Sequence, residues 1–303
     1  GGGATAVSLP YSIKDTASNV AAELGSDAAY VTGSSGNIVL LNDSSATDAA
    51  KLKTVLVELA GGKTADATAI TSISGAISDV EAVIEHKITA ADTSLAADVA
   101  ISFDATIDAS VAAVNKALAV TTGAVTGTIS GAAATLAGLT SEVASSATNT
   151  LTISVTDLAA APVNASDLKA VGLATSGTAT VANKVAISGD IADVTAALVT
   201  SGSKVVLGTA DTPVTVADAV TAEQGAAIAT VTNAAASFTT GVVDALGSLS
   251  SGGTINANLT AVKNDQADVA IAISDADNFA APAADLKVVG GATTGTVTVT
   301  NKA

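Results

Sequence analysis

Two kinds of hydrophobic pattern alternate along the chain. In the first kind, a short run of β-branched apolar residues alternates with polar ones. Such runs lie at 68–74, 99–103, 150–156, 184–188 and 269–274. In the second kind, an alanine-rich stretch carries apolar residues three or four positions apart, as in 77–84. A period of two is typical of a strand, and the wider spacing is typical of one face of a helix. The pattern therefore predicts short strands and short helices in regular succession.

The chain also repeats itself. Residues 167–184 and 285–302 are identical at 13 of 18 positions, at an offset of 118. A second match joins 73–80 to 187–194 at an offset of 114. These matches predict two full super-repeats, at 38–150 and 151–268, with partial copies at 1–37 and 269–303.

The length of one strand-plus-helix unit, roughly 20–30 residues, is that of solenoid coils, which bury their apolar faces only by stacking on neighbours. We therefore predict an α/β repeat fold. It is an elongated solenoid of strand-plus-short-helix coils, with a parallel sheet along one side. Two alternatives stay open at this point. One is a right-handed β-solenoid in which the helices are turns, and the other is a row of tandem β-sandwich domains, whose length the long period would suit.

Composition fits thin layers better than a bulky core. Hydrophobic residues make up 49% of the 303 residues, but the chain has five aromatic residues and no Cys, Met or Trp. Its aliphatic content argues against disorder, and the lack of cysteine excludes a disulfide framework. The basic residues are all lysines, and the net charge is −16. Such a chain repels polyanions, so we expect no nucleic-acid partner.

Catalytic patterns are nearly missing from the sequence. His86 is the single histidine, and we interpret it as a solvated residue near a helix end. The segment Gly61-Gly62-Lys63-Thr64 resembles a phosphate loop, but Val57 stands where that motif needs glycine, so we predict a helix-ending turn. We therefore expect no enzymatic activity and no required cofactor.

Calcium is the one ligand that the acidic residues favour. Asp275, Asp277 and Asn278 supply the oxygen donors that this ion prefers. The spacing matches neither an EF-hand nor a calcium-binding β-roll. Helix capping is an equal explanation, because Asp15, Asp157 and Asp275 each follow a predicted strand and precede a predicted helix.

Other partners are predicted from short motifs. Three sequons, at Asn42, Asn164 and Asn258, would accept glycans in a secretory host. No apolar run approaches the 18 or so residues of a membrane span. Thr294, Thr296, Thr298 and Thr300 alternate as an ice-binding ladder would, although no stack of such rows is evident.

Two segments of the sequence resemble a known class of proteins. Residues 13–22 (IKDTASNVAA) and 214–224 (VTVADAVTAEQ) resemble repeated units of very large bacterial cell-surface proteins, of the S-layer-associated kind common in marine cyanobacteria. The resemblance implies secretion, a structural role at the cell surface and often calcium. It implies no catalytic residues.

The last residues favour self-association. Lys302-Ala303 aligns with Lys184-Val185, where the predicted strand continues to Ser188. The sequence therefore stops inside a strand, as an excerpt of a longer protein would, or as a subunit would if the next copy completes it in a head-to-tail homopolymer or lattice.

From these observations we predict a non-enzymatic structural protein of the cell exterior: an S-layer, sheath, filament or adhesin stalk. The alternative is an extracellular binding module for polysaccharide or ice. The small number of aromatic residues disfavours a carbohydrate platform.

Overall fold

The structure is a computed structural model that describes residues 11–26, 31, 38–58, 65–89, 95–104, 107–108, 110–145, 147–209, 211–277 and 279–300. The chain divides into two compact units. Unit 1 holds the described residues within 1–130, 139–152 and 175–177, and unit 2 holds those within 131–138, 153–174 and 178–303. The super-repeat boundaries expected from the sequence stay a prediction.

Short strands and short helices succeed one another along the described chain. The strands are β1 (Ile13–Thr16), β2 (Ile38–Leu41), β3 (Thr47–Asp48), β4 (Ala65–Asp66), β5 (Ser72–Gly75), β6 (Ala100–Phe103), β7 (Ile107–Asp108), β8 (Ala124–Thr126), β9 (Thr128–Gly131), β10 (Thr148–Asn149), β11 (Thr152–Val155), β12 (Pro162–Asn164), β13 (Ala179–Val181), β14 (Ala186–Gly189), β15 (Val205–Leu207), β16 (Val214–Val216), β17 (Ala236–Phe238), β18 (Val242–Asp244), β19 (Ser250–Ser251), β20 (Thr254–Ile255), β21 (Ile271–Ile273) and β22 (Val297–Val299).

The helices are equally short. They are α1 (Ala17–Ser26), α2 (Ala49–Glu58), α3 (Ile77–Thr89), α4 (Val111–Val120), α5 (Ala133–Leu136), α6 (Ala165–Leu173), α7 (Ile191–Val194), α8 (Ala222–Ala229), α9 (Leu246–Leu249), α10 (Ala257–Asp265) and α11 (Ala283–Gly290). A 3-10 turn at Glu142–Ala144 and a π-helical turn at Thr195–Val199, continuous with α7, complete the set.

Unit 1 contains parallel sheets whose strands follow one another in chain order. One sheet has the order β1-β2-β4, a second has β3-β5-β6-β8-β10, and β7 pairs with β9. The register places Ile13 beside Ile38 and Ser72 beside Ala100. A strand therefore pairs with a strand one short segment earlier and with another one short segment later.

Unit 2 follows the same rule. Its parallel strands are ordered β11-β13-β15, β12-β14-β16-β17 and β18-β21-β22. Val214 pairs with Ala236, 22 residues later, and Val242 pairs with Ile271, 29 residues later. These two values are the shortest and the longest sequence separations among the parallel pairs of both units. We call one such segment of 22–29 residues a pass of the chain. The hairpin of β19 and β20 is antiparallel.

The two faces of the strands explain why the sheets form. In the five-stranded sheet of unit 1, Ile73, Ile101 and Val125 lie in one row and are fully buried. Their neighbours Ser74 and Ser102 point the other way and are partly exposed. Because side chains alternate between faces, β-branched residues fill the interior and hydroxyl residues cover the outside.

The helices bury one face each. Helix α4 buries Ala113, Val114, Ala117 and Leu118, which share one side of the helix. Alanine on that face lets neighbouring elements approach closely, so a core can form with few large side chains. This α/β arrangement of parallel sheets and short helices confirms the corresponding part of the prediction. For the described residues, it makes the two all-β alternatives wrong.

Candidate functional site

Many of the polar side-chain contacts among the described residues join successive passes, and the first recurrent set is a Thr-X-Gly turn. Its threonine hydroxyl donates to a carbonyl oxygen of the preceding pass and accepts the N–H two residues later. The donated bonds run from Thr121 to Val99 (2.5 Å), from Thr175 to Leu151 (2.7 Å) and from Thr293 to Val269 (2.6 Å). The accepted bonds come from Gly123, Gly177 and Gly295, each at 2.9 Å. Each hydroxyl thus fastens its own turn and joins it to the pass before.

The glycine of each turn is required by close approach. A Cβ added at Gly177 would lie 2.5 Å from the Leu151 carbonyl oxygen, and one added at Gly295 would lie 2.2 Å from that of Asp268. No side chain fits at such distances. The turns at 175 and 293 belong to the matched segments of the sequence, whereas the copy at 121 was not found by sequence comparison. Only its Thr-X-Gly spacing could have identified it.

A second recurrent contact places an aspartate at the start of a helix in the preceding pass. A carboxylate oxygen accepts the N–H of the first helical residue. The pairs are Asp157 with Ala133 (2.7 Å), Asp218 with Ile191 (3.2 Å), Asp244 with Ala222 (3.1 Å) and Asp275 with Leu246 (2.8 Å). Negative charge at a helix N-terminus is stabilising, so these bonds hold neighbouring passes in register.

This arrangement corrects the capping prediction. Asp157 and Asp275 do cap helices, but each caps the helix of the preceding pass instead of the one that follows it. Asp15 instead accepts the N–H of Thr16 and the side-chain amide of Asn19, both at 2.7 Å.

Small residues meet at the same corners. A Cβ on Gly75 would lie 2.9 Å from the Cβ of Ala49, and a Cβ on Gly189 would lie 2.8 Å from that of Ala165. In both cases a glycine two residues before one helix contacts the first residue of the preceding helix. The pass-to-pass distance at this corner therefore leaves no room for a second methyl group.

Ion pairs link neighbouring helices on the surface. The Nζ of Lys53 lies 2.8 Å from Asp79, and the Nζ of Lys169 lies 2.8 Å from Asp193. In each pair the lysine is the fifth residue of its helix and the aspartate is the third residue of the next one. The hydrogen bond to Asp193 raises the pKa of Lys169 above its ordinary value.

In a third link the lysine belongs to the later helix and its carboxylate partners belong to the earlier one. The Nζ of Lys116 on α4 contacts Glu85 and also Glu81, the latter at 3.1 Å, and both glutamates lie on α3. Hydrogen bonds to Glu85 and then to Glu81 raise the pKa of this lysine. All of these side chains are partly exposed, so each pair contributes little to stability alone.

The calcium candidates are not assembled into a site in the part of the chain that the structure describes. Asp275 uses one oxygen to cap α9, Asp277 is exposed, and Asn278 lies outside the described residues. Among the described residues no three His, Cys, Asp or Glu side chains converge as metal ligands. The calcium interpretation stays a prediction, to be tested by comparing the melting temperature in calcium with that in EGTA.

The remaining sequence candidates are dispersed. His86 lies partly exposed on α3, and Gly61-Gly62-Lys63-Thr64 lies outside the described residues. Thr298 pairs with Ala272, which pairs with Val243, so the alternating threonines at 294–300 are not repeated on the neighbouring strands of that sheet.

One open cavity is lined almost entirely by polar residues. It measures about 300 Å³ and is lined by Thr221, Glu223, Asp244, Ser248, Asn256 and Asn258. Asp244 already accepts two N–H groups there, from Ala222 and Ala245. The cavity is therefore part of a capped corner between passes.

Comparisons of this chain with protein-family models, with curated proteins and with solved structures find no match. None of the helices within the described ranges is long and apolar enough to cross a membrane.

Proposed function

We propose that the chain is a non-enzymatic structural protein of the cell exterior, built as an elongated solenoid in which each pass stacks on the one before. The observation that carries this proposal is the strand register. In both units every parallel strand pairs with a strand 22–29 residues away, and the strands of each sheet follow in chain order. A chain that advances by one pass at a time grows along an axis and does not close around a centre.

The polar contacts support the same conclusion. Threonine hydroxyls, aspartate caps and lysine–carboxylate pairs all join one pass to the next, at similar sequence separations. The polar and charged side chains are thus used to hold neighbouring passes together. This use of polar residues is expected of a scaffold.

Location outside the cell is supported by composition and by resemblance. An acidic chain without cysteine, whose basic residues are all lysines, suits a bacterial surface protein. The phrases at 13–22 and 214–224 that resemble large surface proteins fall on β1 with α1, and on β16 with the start of α8. Immunogold labelling of intact cells that carry this gene should decorate their outer surface. Labelling confined to permeabilised cells would contradict the location.

The solenoid is tested by distances between pairs of spin labels. The chain has no native cysteine, so pairs introduced at Asp48 with Asn164, Ser237 or Thr298 are labelled cleanly. Stacked passes predict that the distance from position 48 increases with each later partner, by about 4.8 Å per pass.

A control pair calibrates this measurement. Ser188→Cys with Thr215→Cys occupies paired positions on adjacent strands and reports the spacing of a single pass. Distances that fail to increase along the chain would exclude a solenoid.

A row of polar side chains favours a second candidate, a binding module for polysaccharide or ice. Asn164, Ser188, Thr215 and Ser237 stand side by side on β12, β14, β16 and β17 and face outward. A ladder of this kind presents one amide and three hydroxyl groups at the spacing of the strands. Thr215→Lys should abolish retention on insoluble polysaccharide or thermal hysteresis if the row binds, and Thr240→Lys is the control outside the row.

A further inference from the structure

We propose that two copies of this chain pair through the edge strand β15, which joins β15 of the other copy antiparallel about a two-fold axis. The partner is therefore a second copy of the same chain, and the contact extends a sheet of each copy into the other. The inference goes beyond the proposed function. It uses only strands and side chains of unit 2.

Strand β15 has an open outer edge. It pairs with β13 on one side, and no strand of the described residues pairs with it on the other side. The register places Ala179 beside Val205 and Val181 beside Leu207. Both β13 residues are fully buried, whereas Val205 and Leu207 are partly exposed and Val206 between them is 50% exposed. Strand β15 therefore lacks the cover that it gives to β13.

The backbone groups on this open edge belong to Val205 and Leu207. On the inner side, Gly208 donates its N–H to the carbonyl oxygen of Val181 at 2.8 Å. In a parallel pair, the groups that face one neighbour come from alternate residues. The N–H and C=O of Val206 therefore face β13, and those of Val205 and Leu207 point away from the sheet.

Strand β17 shows how the same molecule closes an edge when no further strand pairs with it. Its outward N–H groups are bonded by side chains of a later pass, as where Phe238 donates to the side-chain oxygen of Gln266 at 2.6 Å. On β15 one of the four outward groups has a partner within the described ranges, the N–H of Val205, which donates to Ser203 Oγ at 3.3 Å. Open strand edges pair readily with other chains, so β15 has the edge that is free to do so.

A second copy of β15 fits these groups in one register. With a two-fold axis at Val206, Val205 of each copy stands opposite Leu207 of the other. Both residues point outward, so each such pair exchanges two N–H···O bonds, as in an antiparallel ladder. The two Val206 side chains then meet on the exposed face and shield each other from water. The contact uses the same surface on both copies, so it closes as a dimer.

The side chains along this edge are apolar. An open cavity of about 360 Å³ beside it is lined, among the described residues, by Leu198, Val205, Val206, Leu207 and Val231. Side chains alternate between the two faces of a strand. A partner β15 therefore covers the cavity with its own Val205 and Leu207 and covers the opposite face with Val206.

Charge favours the same register. Lys204 directly precedes β15, and Asp211 is exposed four residues after the strand ends. Neither side chain forms an ion pair within the described residues. Antiparallel pairing brings the start of one β15 beside the end of the other. Lys204 of each copy thus lies toward Asp211 of the other copy, where opposite charges attract.

Substitutions at the two-fold axis test the contact, because Val206 meets itself there. Sedimentation velocity of the whole chain should show a monomer–dimer equilibrium at concentrations up to about 1 mM, since one short strand buries less area than a standard interface. Val206→Lys and Val206→Glu should each weaken dimerisation by about tenfold or more, because like charges then meet. An equimolar mixture of the two variants should dimerise again, because opposite charges then meet across the axis.

A backbone variant tests the hydrogen bonds. Leu207→Pro removes one outward N–H and places the proline ring where the partner strand would lie. It leaves the bonds to β13 intact, because those bonds come from the alternate residues, and proline is tolerated on edge strands. Leu207→Pro should therefore weaken dimerisation while circular dichroism shows a folded chain.

The matched controls are Thr215→Lys and Thr215→Glu. Thr215 is exposed on β16, but it lies between two paired strands and away from any edge. These variants make the same charge changes and should leave the dimerisation constant unchanged.

A disulfide gives an independent measurement, because the chain has no cysteine. Facing Cα atoms of a non-hydrogen-bonded antiparallel pair lie about 4.5 Å apart, which is within reach of a disulfide. With oxidised glutathione, Val206→Cys should therefore form a covalent dimer much faster than Thr215→Cys does.

Four results would overturn the inference: a chain that stays monomeric at about 1 mM, equal losses for Val206→Lys and Thr215→Lys, a mixture that does not dimerise, or equal rates of disulfide formation. A monomeric chain that binds an unrelated extended peptide at β15 would likewise assign the edge to another partner. The spin-label distances within one copy do not depend on this contact, so the inference and the proposed solenoid fail separately.

Discussion

Residues 167–184 and 285–302 are nearly the same sequence, and the structure gives them the same local elements in two different surroundings. Each segment holds a helix, a Thr-X-Gly turn and a strand: α6 and β13 in the first, α11 and β22 in the second. Their burial differs sharply. Val181 is 0% exposed, whereas its counterpart Val299 is 58% exposed. The sequence of a pass therefore determines its local structure, but the surroundings of the pass determine how much of it is buried.

The contacts divide in the same way. Thr175 and Thr293 each make the same two bonds, because both reach back to a pass that is present. The forward contacts, such as Lys169 with Asp193, occur only in the first segment among the described residues. Backward contacts are thus equivalent in the two segments and forward contacts are not. Substitutions at matched positions can separate the two kinds.

The largest effect is expected from Leu168→Ala compared with Leu286→Ala. Leu168 is fully buried and Leu286 is partly exposed, so the first substitution leaves a cavity and the second removes atoms already near solvent. We expect the free energy of unfolding to fall by about 3 kcal/mol for Leu168→Ala and by about 1.5 kcal/mol for Leu286→Ala. Urea unfolding of dilute protein, followed by circular dichroism, measures both. Equal losses would show that the difference in burial is not what distinguishes the two segments.

The glycines of the turns should behave alike, because their contacts reach backward. Gly177→Ala and Gly295→Ala each force a methyl group against a backbone carbonyl of the preceding pass. Each should lower the free energy of unfolding by about 2 kcal/mol. Gly290→Ala is the control, since nothing lies within 4 Å of its added Cβ, and it should change stability by less than about 0.5 kcal/mol. A large loss at 177 with none at 295 would contradict the equivalence of backward contacts.

The threonine hydroxyls come next. Thr175→Val keeps the shape of the side chain but leaves the Leu151 carbonyl and the Gly177 N–H without their partner, in a buried turn. We expect Thr175→Val to lower the free energy of unfolding by about 1.5 kcal/mol. At the partly exposed Thr293 water replaces the hydroxyl more easily, so Thr293→Val should cost about 0.5–1 kcal/mol. The conservative variants Thr175→Ser and Thr293→Ser retain the hydroxyl. If the serine variants lose as much free energy of unfolding as the valine variants, the hydroxyl hydrogen bonds are not the cause of the loss.

Local pattern was enough to predict most of the elements. The alternating run at 99–103 contains β6, and the spacing of Ile77, Val80 and Val83 lies on α3. Both patterns report the burial of one face, which depends on residues a few positions apart. The order of strands within the sheets also followed from the length of the repeating unit.

The contacts between passes were not predictable in the same way. A local capping rule assigns Asp157 to the helix that follows it in the sequence. Its actual partner, Ala133, begins a helix 24 residues earlier. Lys169 and Asp193 stand in two separately repeated phrases, and nothing in either phrase indicates that they meet. The calcium candidates show the same difficulty. The helix that Asp275 caps begins 29 residues earlier, at Leu246, so the sequence around Asp275 does not show whether the carboxylate caps a helix or binds a metal ion.

The smallest effect is expected from the lysines, and it depends on pH. Asp193 raises the pKa of Lys169 above the ordinary value of 10.5, so the folded state holds that proton more tightly than the unfolded chain does. The stabilisation is therefore complete below pH 10.5 and disappears as the pH rises through the higher folded value. Lys169→Gln should lower the melting temperature slightly at pH 8 in low salt, and the difference from wild type should shrink near pH 11 and in high salt. Lys287 forms no ion pair within the described residues, so in dilute solution Lys287→Gln should match wild type at both pH values. A decrease at pH 8 as large as that of Lys169→Gln would mean that Lys287 already has an acidic partner within its own chain.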